Sequence, residues 1–443
     1  MKRDPRVAAI LACVAAILLA ATGCPNPKAN VVPPDEATTV VAPPAAPLPP
    51  DKPDDAAALE KAGAYLTKGP DGSVTEVELG PTTTGAALVH LQGLPKVFRL
   101  LADNREVTDE SLALLAGHPS LKIISLEQSS VTDQGMEHLK SLPKLEEVNL
   151  KKTDLTDAGY KTLAGIATLK RIKAPQTNFG DDCFAAISGM KQLELLDLQD
   201  CNRVTPAGLA KLGEFKNLKS LRLWGPTITD DVLQPVVGLQ NLKTLSLEQC
   251  TALTAGAFDH IAKLPNLQEL VFVGTPVTDA ALEKIAGLAK LKKLELRETQ
   301  VTSLGLSYLA GMKDLEYLDL TQTTVGNEGL EHLKGLANLQ TLKMWATRID
   351  DAGLSNLTGL QKLKHLNLDA CSGISDAGMP HIGKLEGLEY LHIGSTNVTD
   401  VGLAELKGLK NLKELIVTFL SGVSDDGVDQ LKEALPQLET VDR

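Results

Sequence analysis

Cysteine and histidine are the residues of this chain best suited to catalysis, metal binding or disulfide formation, and the sequence contains 6 and 8 of them. Three cysteines, Cys201, Cys250 and Cys371, lie in similar settings: QDCNRVTPAGL, LEQCTALTAGA and LDACSGISDAG. Matched cysteines of this kind could form a disulfide, bind a metal or supply a thiol nucleophile. The choice depends on the structural elements that carry them.

A repeat of about 24 residues contains all three cysteines and extends over 74–443. Its consensus is L-x-x-L-x-L-x-x-T-x-V-T-D-x-G-L-x-x-L-x-G-L-x-N, with the first leucine as position 1. The L-x-x-L-x-L half alternates as a short strand does, and the second half has the apolar spacing of a helix that begins after a threonine N-cap. The sequence therefore predicts an α/β solenoid of about 15 repeats of 24–25 residues. We expect a parallel sheet on the concave face and short helices on the convex face.

The L-x-x-L-x-L motif resembles the leucine-rich repeat superfamily. The helical motif T-D-x-G-L-x-x-L resembles its ribonuclease-inhibitor-like and cysteine-containing subclasses and is unlike the short extended repeats of internalins. The resemblance implies a curved horseshoe with a ligand-binding concave face. F-box proteins with similar repeats suggest a ubiquitin-ligase substrate receptor as a further alternative, but nothing before residue 74 resembles an F-box.

The repeat gives the three matched cysteines a structural interpretation. Each lies at position 9, where other copies have threonine, for example Thr323. Cys201 and Cys250 are two repeats apart, about 10 Å at strand spacing, which is too far for a disulfide. Cys183 replaces the helix glycine of its copy. Because the familiar catalytic motifs are also absent from the sequence, we expect neither an enzyme, nor a cofactor, nor a metal site.

The N-terminal residues have the pattern of a targeting segment. Lys2, Arg3 and Arg6 precede an apolar stretch over 7–21, and ATGC then ends at Cys24. This stretch resembles the lipobox of bacterial lipoproteins, which implies a signal peptide over 1–23 and lipidation of Cys24. The resemblance predicts an exported protein anchored to the bacterial cell membrane or outer membrane.

Two further segments separate Cys24 from the repeats. The proline- and alanine-rich composition of 24–55 predicts a disordered tether. Residues 56–73 are expected to form a capping helix at the N-terminal end of the solenoid.

Positions 3, 5 and 7 of each strand lie outside the leucine core, so a ligand site can be formed there. Aromatic and histidine residues gather at these positions in four consecutive copies, and we expect them to form one exposed patch with three charged residues. The patch consists of Trp345, Tyr317, Tyr390, His365, His392, Asp319, Lys343 and Asp369. Trp224 and Phe419 are two further candidates for binding at the concave face. A metal site built from His365, His392 and Asp369 is an alternative use of part of this surface.

The formal net charge of −12 argues against a nucleic-acid ligand, because phosphate recognition requires a basic surface. The sequence therefore favours a monomeric, non-catalytic scaffold that binds a protein or peptide on its concave face. A cell-envelope glycan binder is the alternative, with Trp224, Trp345 and the tyrosines stacking on sugars.

Overall fold

A short helix and a β-hairpin begin the folded part of the chain, in a computed structural model that describes residues 47–443. The predicted signal peptide and Cys24 lie outside these residues. Helix α1 covers Pro53–Lys61, and Gly63 follows it at φ +93°, a left-handed conformation typical of helix ends. Strands β1 (Ala64–Lys68) and β2 (Val74–Leu79) then pair antiparallel.

The hairpin corrects the predicted capping helix over 56–73. The helix starts earlier, inside the segment predicted as a tether, and it ends at Lys61. The residues that follow alternate in burial, and the turn after them contains Pro70 and Gly72, with Gly72 at φ +80°. Proline and a left-handed glycine in this spacing favour a tight turn between strands.

From β2 onward each strand pairs in parallel with the strand of the next repeat, and the described residues form an open sheet of 17 strands. The strands after β2 are β3 Arg99–Leu101, β4 Ile123–Ser125, β5 Glu147–Asn149, β6 Arg171–Lys173, β7 Leu195–Asp197, β8 Ser220–Trp224, β9 Thr244–Glu248, β10 Glu269–Val271, β11 Lys293–Glu295, β12 Tyr317–Asp319, β13 Thr341–Lys343, β14 His365–Asn367, β15 Tyr390–His392, β16 Glu414–Ile416 and β17 Thr440–Asp442.

Short helices follow the strands on the other side of the solenoid. The α-helices after α1 are α2 Asp109–Ala113, α3 Asp133–Leu139, α4 Asp157–Ala164, α5 Asp181–Ile187, α6 Pro206–Leu209, α7 Phe258–Ile261, α8 Asp279–Ile285, α9 Ser303–Leu306, α10 Asn327–Glu331, α11 Asp351–Leu354, α12 Met379–Ile382, α13 Asp400–Ala404 and α14 Asp425–Ala434. Turns of 3₁₀ helix cover Gly85–Gly93, Leu212–Glu214, Asp231–Gly238, Ala255–Ala257, Ser307–Leu309, Ser355–Leu357, Asp376–Gly378 and Glu405–Gly408.

The consensus leucines form a continuous core between the sheet and the helices. In β12 and β13, Leu318 and Leu342 are register partners, and both are fully buried. Full burial of a leucine side chain contributes about 1.5–3 kcal/mol, and an apolar contact at this position recurs along the solenoid, with Ile124 paired to Val148 in β4 and β5. The core therefore fixes the register that aligns positions 3 and 5 of neighbouring strands.

The residue at position 8 turns the chain away from the sheet. In most repeats it adopts a left-handed conformation without being glycine, for example Gln322 at φ +55° and Ala346 at φ +54°. Its N–H donates to the position-7 carbonyl of the next repeat, as from Gln322 to Trp345 at 2.8 Å. The side chains at positions 3, 5 and 7, which precede this turn, are therefore the ones that lie on the open face of the sheet.

A second set of contacts, here called the polar ladder, links the starts of successive helices. The acidic residue at one helix start accepts two hydrogen bonds from the N-cap residue of the next repeat. Asp279, for example, accepts from the Thr302 N–H at 2.9 Å and from its hydroxyl at 2.6 Å. The same pair of bonds joins Asp109–Thr132, Asp133–Thr156, Asp181–Thr205, Asp230–Thr254, Asp351–Ser375, Asp376–Thr399 and Asp400–Ser424.

The cysteines at position 9 use their thiols inside the turns. Cys201 Sγ donates to the carbonyl of Ala174 at 3.0 Å, and Thr177 Oγ1 donates to the same carbonyl at 2.8 Å. Within 47–443 all the cysteines are buried and none forms a disulfide. Burial raises the pKa of Cys250 to about 12, so this thiol carries almost no thiolate at neutral pH. Cysteine and threonine thus have the same structural role at this position.

Among the described helices, none has both the length and the apolar character needed to cross a membrane.

Candidate functional site

A cleft of about 360 Å³ opens on the sheet face between β12 and β15 and is called the aromatic cleft below. The residues lining it are Tyr317, Thr341, Lys343, His365, Asn367 and Tyr390. Four of the residues predicted as a binding patch, namely Tyr317, Lys343, His365 and Tyr390, are therefore brought together here.

Strand register explains why these side chains meet. Tyr317, Thr341, His365 and Tyr390 are successive partners at position 3 of β12 to β15. Side chains alternate across a strand, so all four extend from the same face. Because Thr341 is small, it leaves a gap between the larger rings of Tyr317 and His365. The cleft is this gap, and Thr341 forms its floor.

Tyr317 forms one wall, and two lysines flank its ring. Lys293 Nζ lies 5.0 Å and Lys343 Nζ 5.5 Å from the ring centroid. Burial and the nearby carboxylates of Asp319 and Glu295 raise the pKa of Tyr317, so its hydroxyl remains protonated and can donate to Asp319. The wall is thus a neutral aromatic ring with ammonium groups beside it.

His365 and Tyr390 form the opposite wall. Their ring centroids are 6.0 Å apart, and the planes are inclined by 32°. His365 is exposed and Tyr390 is half-buried. Burial, followed by the negative charges of Glu414 and Asp369, raises the pKa of Tyr390. This pair presents a second aromatic surface across the gap above Thr341.

His392 and Asp369 lie beside the cleft rather than in its lining. His392 Nε2 is 3.9 Å from Asp369 Oδ1, and both atoms are buried without a hydrogen-bond partner among the described residues. Burial lowers the pKa of His392, although the charges of Asp369 and Asp442 oppose this shift. His365 packs against Tyr390 instead of joining this pair. Within 47–443 no three His, Cys, Asp or Glu side chains form a group suited to a metal ion.

The remaining predicted residues are more scattered. Asp319 was expected on an exposed patch but is only 6 % exposed, because its carboxylate turns back to accept the Thr321 N–H at 2.9 Å. Trp345 is half-buried at position 7, beyond the lining of the cleft. Trp224 lies in β8 opposite Glu248, far along the sheet. Phe419 is 89 % exposed and adopts a left-handed conformation near the last strand.

The predicted patch omitted three residues that the structure places at the aromatic cleft. Thr341 and Asn367 line it, and Lys293 contacts Tyr317. All three occupy positions 3 or 5 of strands within or next to the predicted patch, so the register alone would have identified them. Their residue types did not indicate a binding site, because small and polar residues are common on any sheet face.

Sequence reasoning also missed a larger groove at the starts of the first strands. It has a volume of about 660 Å³, and its lining residues include Phe98, Ile123, Lys122 and Lys144. His118, close to this region in sequence, replaces a core leucine and is fully buried. Burial lowers the pKa of His118, so it packs as a neutral side chain.

Comparisons with known proteins agree with the observed fold. Residues 312–334, which include β12 and α10, match a family model described as "Leucine Rich repeat". No curated protein matches the chain. An internalin, InlF, from Listeria monocytogenes has a similar structure, with a TM-score of 0.53 and 20% identity, over 76% of this chain and 88% of that one.

The Rad7 and Elc1 complex from yeast contains a second similar structure. The TM-score is 0.51 and the identity 17%, with coverage of 76% of this chain and 84% of that one. At these identities the likeness concerns the fold, and it extends to an internalin although the sequence motif differs from internalin repeats. From β2 to β17 the described residues therefore have the fold of a leucine-rich-repeat solenoid.

Proposed function

We propose that this protein is a non-catalytic scaffold that binds a protein or peptide on its concave sheet face, with the aromatic cleft at the centre of the contact. The observation that carries the proposal is the pair of aromatic walls, Tyr317 on one side and His365 with Tyr390 on the other, above the small floor residue Thr341.

The composition of the cleft supports this proposal. Binding energy at protein interfaces concentrates in a few aromatic residues set in pockets, and tyrosine is among the most frequent of them. The backbone of the cleft belongs to one continuous sheet with register-paired strands. A preformed site of this kind loses little conformational freedom on binding, which favours affinity. The yeast structure with a similar fold is that of a complex, which is consistent with a protein partner.

Site-specific photocrosslinking tests the location of binding. Asn367 and Asn149 occupy the same position of their strands, and only Asn367 lines the cleft. A photoreactive residue at 367 should crosslink a partner in cells, whereas the same residue at 149 should not. Equal crosslinking from both positions, or none from 367, would contradict the proposal.

Alanine substitutions test the aromatic walls. Tyr317→Ala combined with Tyr390→Ala should reduce capture of the crosslinked partner by at least about tenfold, because each aromatic anchor contributes about 1–2 kcal/mol or more. Trp224→Ala is the matched control, since it removes a half-buried aromatic residue far from the cleft.

Trp345→Ala tests how far the contact extends beyond the lining residues. Quenching of tryptophan fluorescence by a polysaccharide, with no protein crosslinked, would favour the glycan-binding alternative.

The proposal includes export and anchoring of the chain at a bacterial membrane through a lipid on Cys24. Its support is the sequence alone: the basic residues Lys2, Arg3 and Arg6, the apolar stretch over 7–21, and the lipobox-like ATGC. Labelling with radioactive palmitate should mark the wild-type chain and be lost in Cys24→Ser. The motif T-D-x-G-L-x-x-L likewise supports assigning the repeats to the ribonuclease-inhibitor-like or cysteine-containing subclass.

A further inference from the structure

The charge of the aromatic cleft narrows the chemistry of its ligand. The whole chain carries a formal net charge of −12, yet none of the six residues lining the cleft is acidic. Lys343 projects into it with its ammonium 5.5 Å from the Tyr317 ring. The other lysine beside this ring, Lys293, already pairs with Glu295 at 2.7 Å.

Lys343 has no ion pair among the described residues. Asp319 is its register partner in β12, but that carboxylate is held by the Thr321 N–H at 2.9 Å and the Tyr317 hydroxyl at 3.4 Å. On the other side its register partner is the neutral Asn367. The ammonium of Lys343 is therefore the charge within the cleft that a ligand can neutralise.

The spacing of the walls fits one flat ring. Tyr317 and His365 are two strands apart in register, so the backbones that carry the two walls are about 9.6 Å apart at the usual strand separation. A ring inserted midway would lie about 4.8 Å from each wall, within the range of favourable aromatic contacts. Thr341 is small, so the Lys343 ammonium, which lies over the Tyr317 ring, is the group that shares this space with an inserted ring.

A sugar ring suits this gap less well than an aromatic side chain. A sugar carries several hydroxyls, whereas outside the two aromatic walls the lining offers the polar groups of three residues, Thr341, Asn367 and Lys343. Hydroxyls buried between two aromatic walls would lack hydrogen-bond partners, which costs free energy. An aromatic side chain has no such requirement.

We propose that the cleft recognises an acidic, extended peptide segment of a protein partner, in which one aromatic side chain enters between Tyr317 and His365 and a neighbouring carboxylate pairs with Lys343. This inference rests on the proposed function and specifies its ligand class. A carboxylate that binds Lys343 makes a charge-assisted hydrogen bond, which is stronger than a neutral one.

Selection from a random dodecapeptide phage library on the full chain tests this inference, with counter-selection on Tyr317→Ala. The enriched peptides should contain an aromatic residue within two positions of Asp or Glu. The best peptide should bind Lys343→Gln about tenfold more weakly than the wild type. Its binding to Lys173→Gln should be unchanged, since Lys173 occupies the same strand position outside the cleft and pairs with Glu147 at 2.6 Å.

The outcomes separate this inference from the proposed function. Enrichment of neutral or basic motifs, no enrichment over Tyr317→Ala, or equal binding to Lys343→Gln would overturn the acidic-peptide inference. So would binding of alginate, an acidic polysaccharide, at the cleft in place of peptides. The proposed function would still stand if the photoreactive residue at 367 crosslinked a partner protein, and it would fail if that crosslink were absent.

Discussion

The polar ladder and the aromatic cleft belong to the same repeats but use their polar side chains in opposite ways. In the ladder, Asp279 accepts two hydrogen bonds from Thr302 of the next repeat, so its carboxylate is satisfied within the protein. In the cleft, the ammonium of Lys343 lies over the Tyr317 ring and forms no ion pair with a carboxylate of the described residues. Fixed positions of the repeat thus bind neighbouring repeats, whereas variable positions leave groups free for a ligand.

The ladder also explains a glycine of the repeat. A Cβ at Gly305 would collide with the carboxylate of Asp279 from the preceding repeat. Two repeats have Pro206 or Ala255 in place of that acid, and the repeats after them have Val232 and Ala281 at the glycine position. In most repeats an acid is therefore followed by glycine in the next repeat, with Ala257 after Asp230 as an exception.

Asp157 marks a break in this pattern. The repeat after it begins its helix with Gly180, which has no side-chain hydroxyl to donate, and has Cys183 at the glycine position. A cavity of about 360 Å³ lies at this junction, and Asp157, Gly180 and Cys183 are among its lining residues. The missing threonine and the missing glycine thus coincide with a gap in the packing between helix starts.

The largest predicted effect compares two adjacent residues, one in the core and one in the cleft. Leu342→Ala should lower the free energy of unfolding by about 2–5 kcal/mol, because it leaves a cavity in a fully buried site. Thr341→Ala should change it by less than about 0.5 kcal/mol, because that side chain faces the open cleft. Urea denaturation followed by circular dichroism measures both. Similar values for the two variants would show that the cleft floor is part of the core.

Gly305→Ala tests the coupling within the ladder and should lower the free energy of unfolding by about 1–3 kcal/mol. In an isolated helix the same substitution would be stabilising, so the direction identifies the collision with Asp279 as the cause. Gly287→Ala is the matched control, since a Cβ there has no neighbour within 4 Å. Urea midpoints of the two variants give the comparison.

A double-mutant cycle tests whether the loss of stability in Gly305→Ala is due to the Asp279 carboxylate. Asp279→Ala alone should lower the free energy of unfolding by about 1–2 kcal/mol through the loss of two hydrogen bonds. In the double variant, Gly305→Ala should cost less than it does alone, because the obstructing side chain is gone. Purely additive effects would disprove the coupling.

A rung of the ladder that has only one of its two hydrogen bonds can be completed where the Gly326 N–H donates to Ser303 Oγ at 3.0 Å. Ser303→Asp together with Gly326→Thr should raise the free energy of unfolding by about 0.5–1 kcal/mol, as expected for a new N-cap contact. A Cβ at Gly326 has its nearest neighbour, the Arg348 carbonyl oxygen, at 3.5 Å, so the threonine fits. Each single variant should gain less than the pair. A lower urea midpoint for the pair would contradict the role given to the ladder.

The features that the sequence predicted correctly are those set by the repeat itself. The leucines at positions 4 and 6 specify the core, and a threonine N-cap such as Thr302 accepts the Leu304 N–H at 3.3 Å. Once the repeats were aligned, the shared position 3 of Tyr317, His365 and Tyr390 predicted their proximity. Periodicity therefore gave the fold and four of the six residues that line the cleft.

The features that it did not predict depend on contacts outside one repeat. The acid after the threonine accepts its hydrogen bonds from the next repeat, as Asp279 does from Thr302, and the pattern of a single repeat does not reveal such contacts. The burial of Asp319 follows from a turn of its carboxylate toward Thr321, which strand alternation does not reveal. The hairpin of β1 and β2 precedes the regular repeats, so their period gave no information about it.

The smallest predicted effect concerns the pH dependence of the ladder. Hydrogen bonds from the hydroxyl and the N–H of Ser424 lower the pKa of Asp400 below its usual 3.8. The unfolded chain therefore binds this proton more readily, and the rung stabilises the fold above about pH 4 and is lost as the pH falls through the folded pKa. In Ser424→Ala the carboxyl pKa, measured by NMR titration, should rise, and the decline of the urea midpoint between pH 5 and pH 3 should become less steep. An unchanged Asp400 pKa in Ser424→Ala would mean that the ladder carboxylates, like the cleft lysine, are not satisfied by their neighbours.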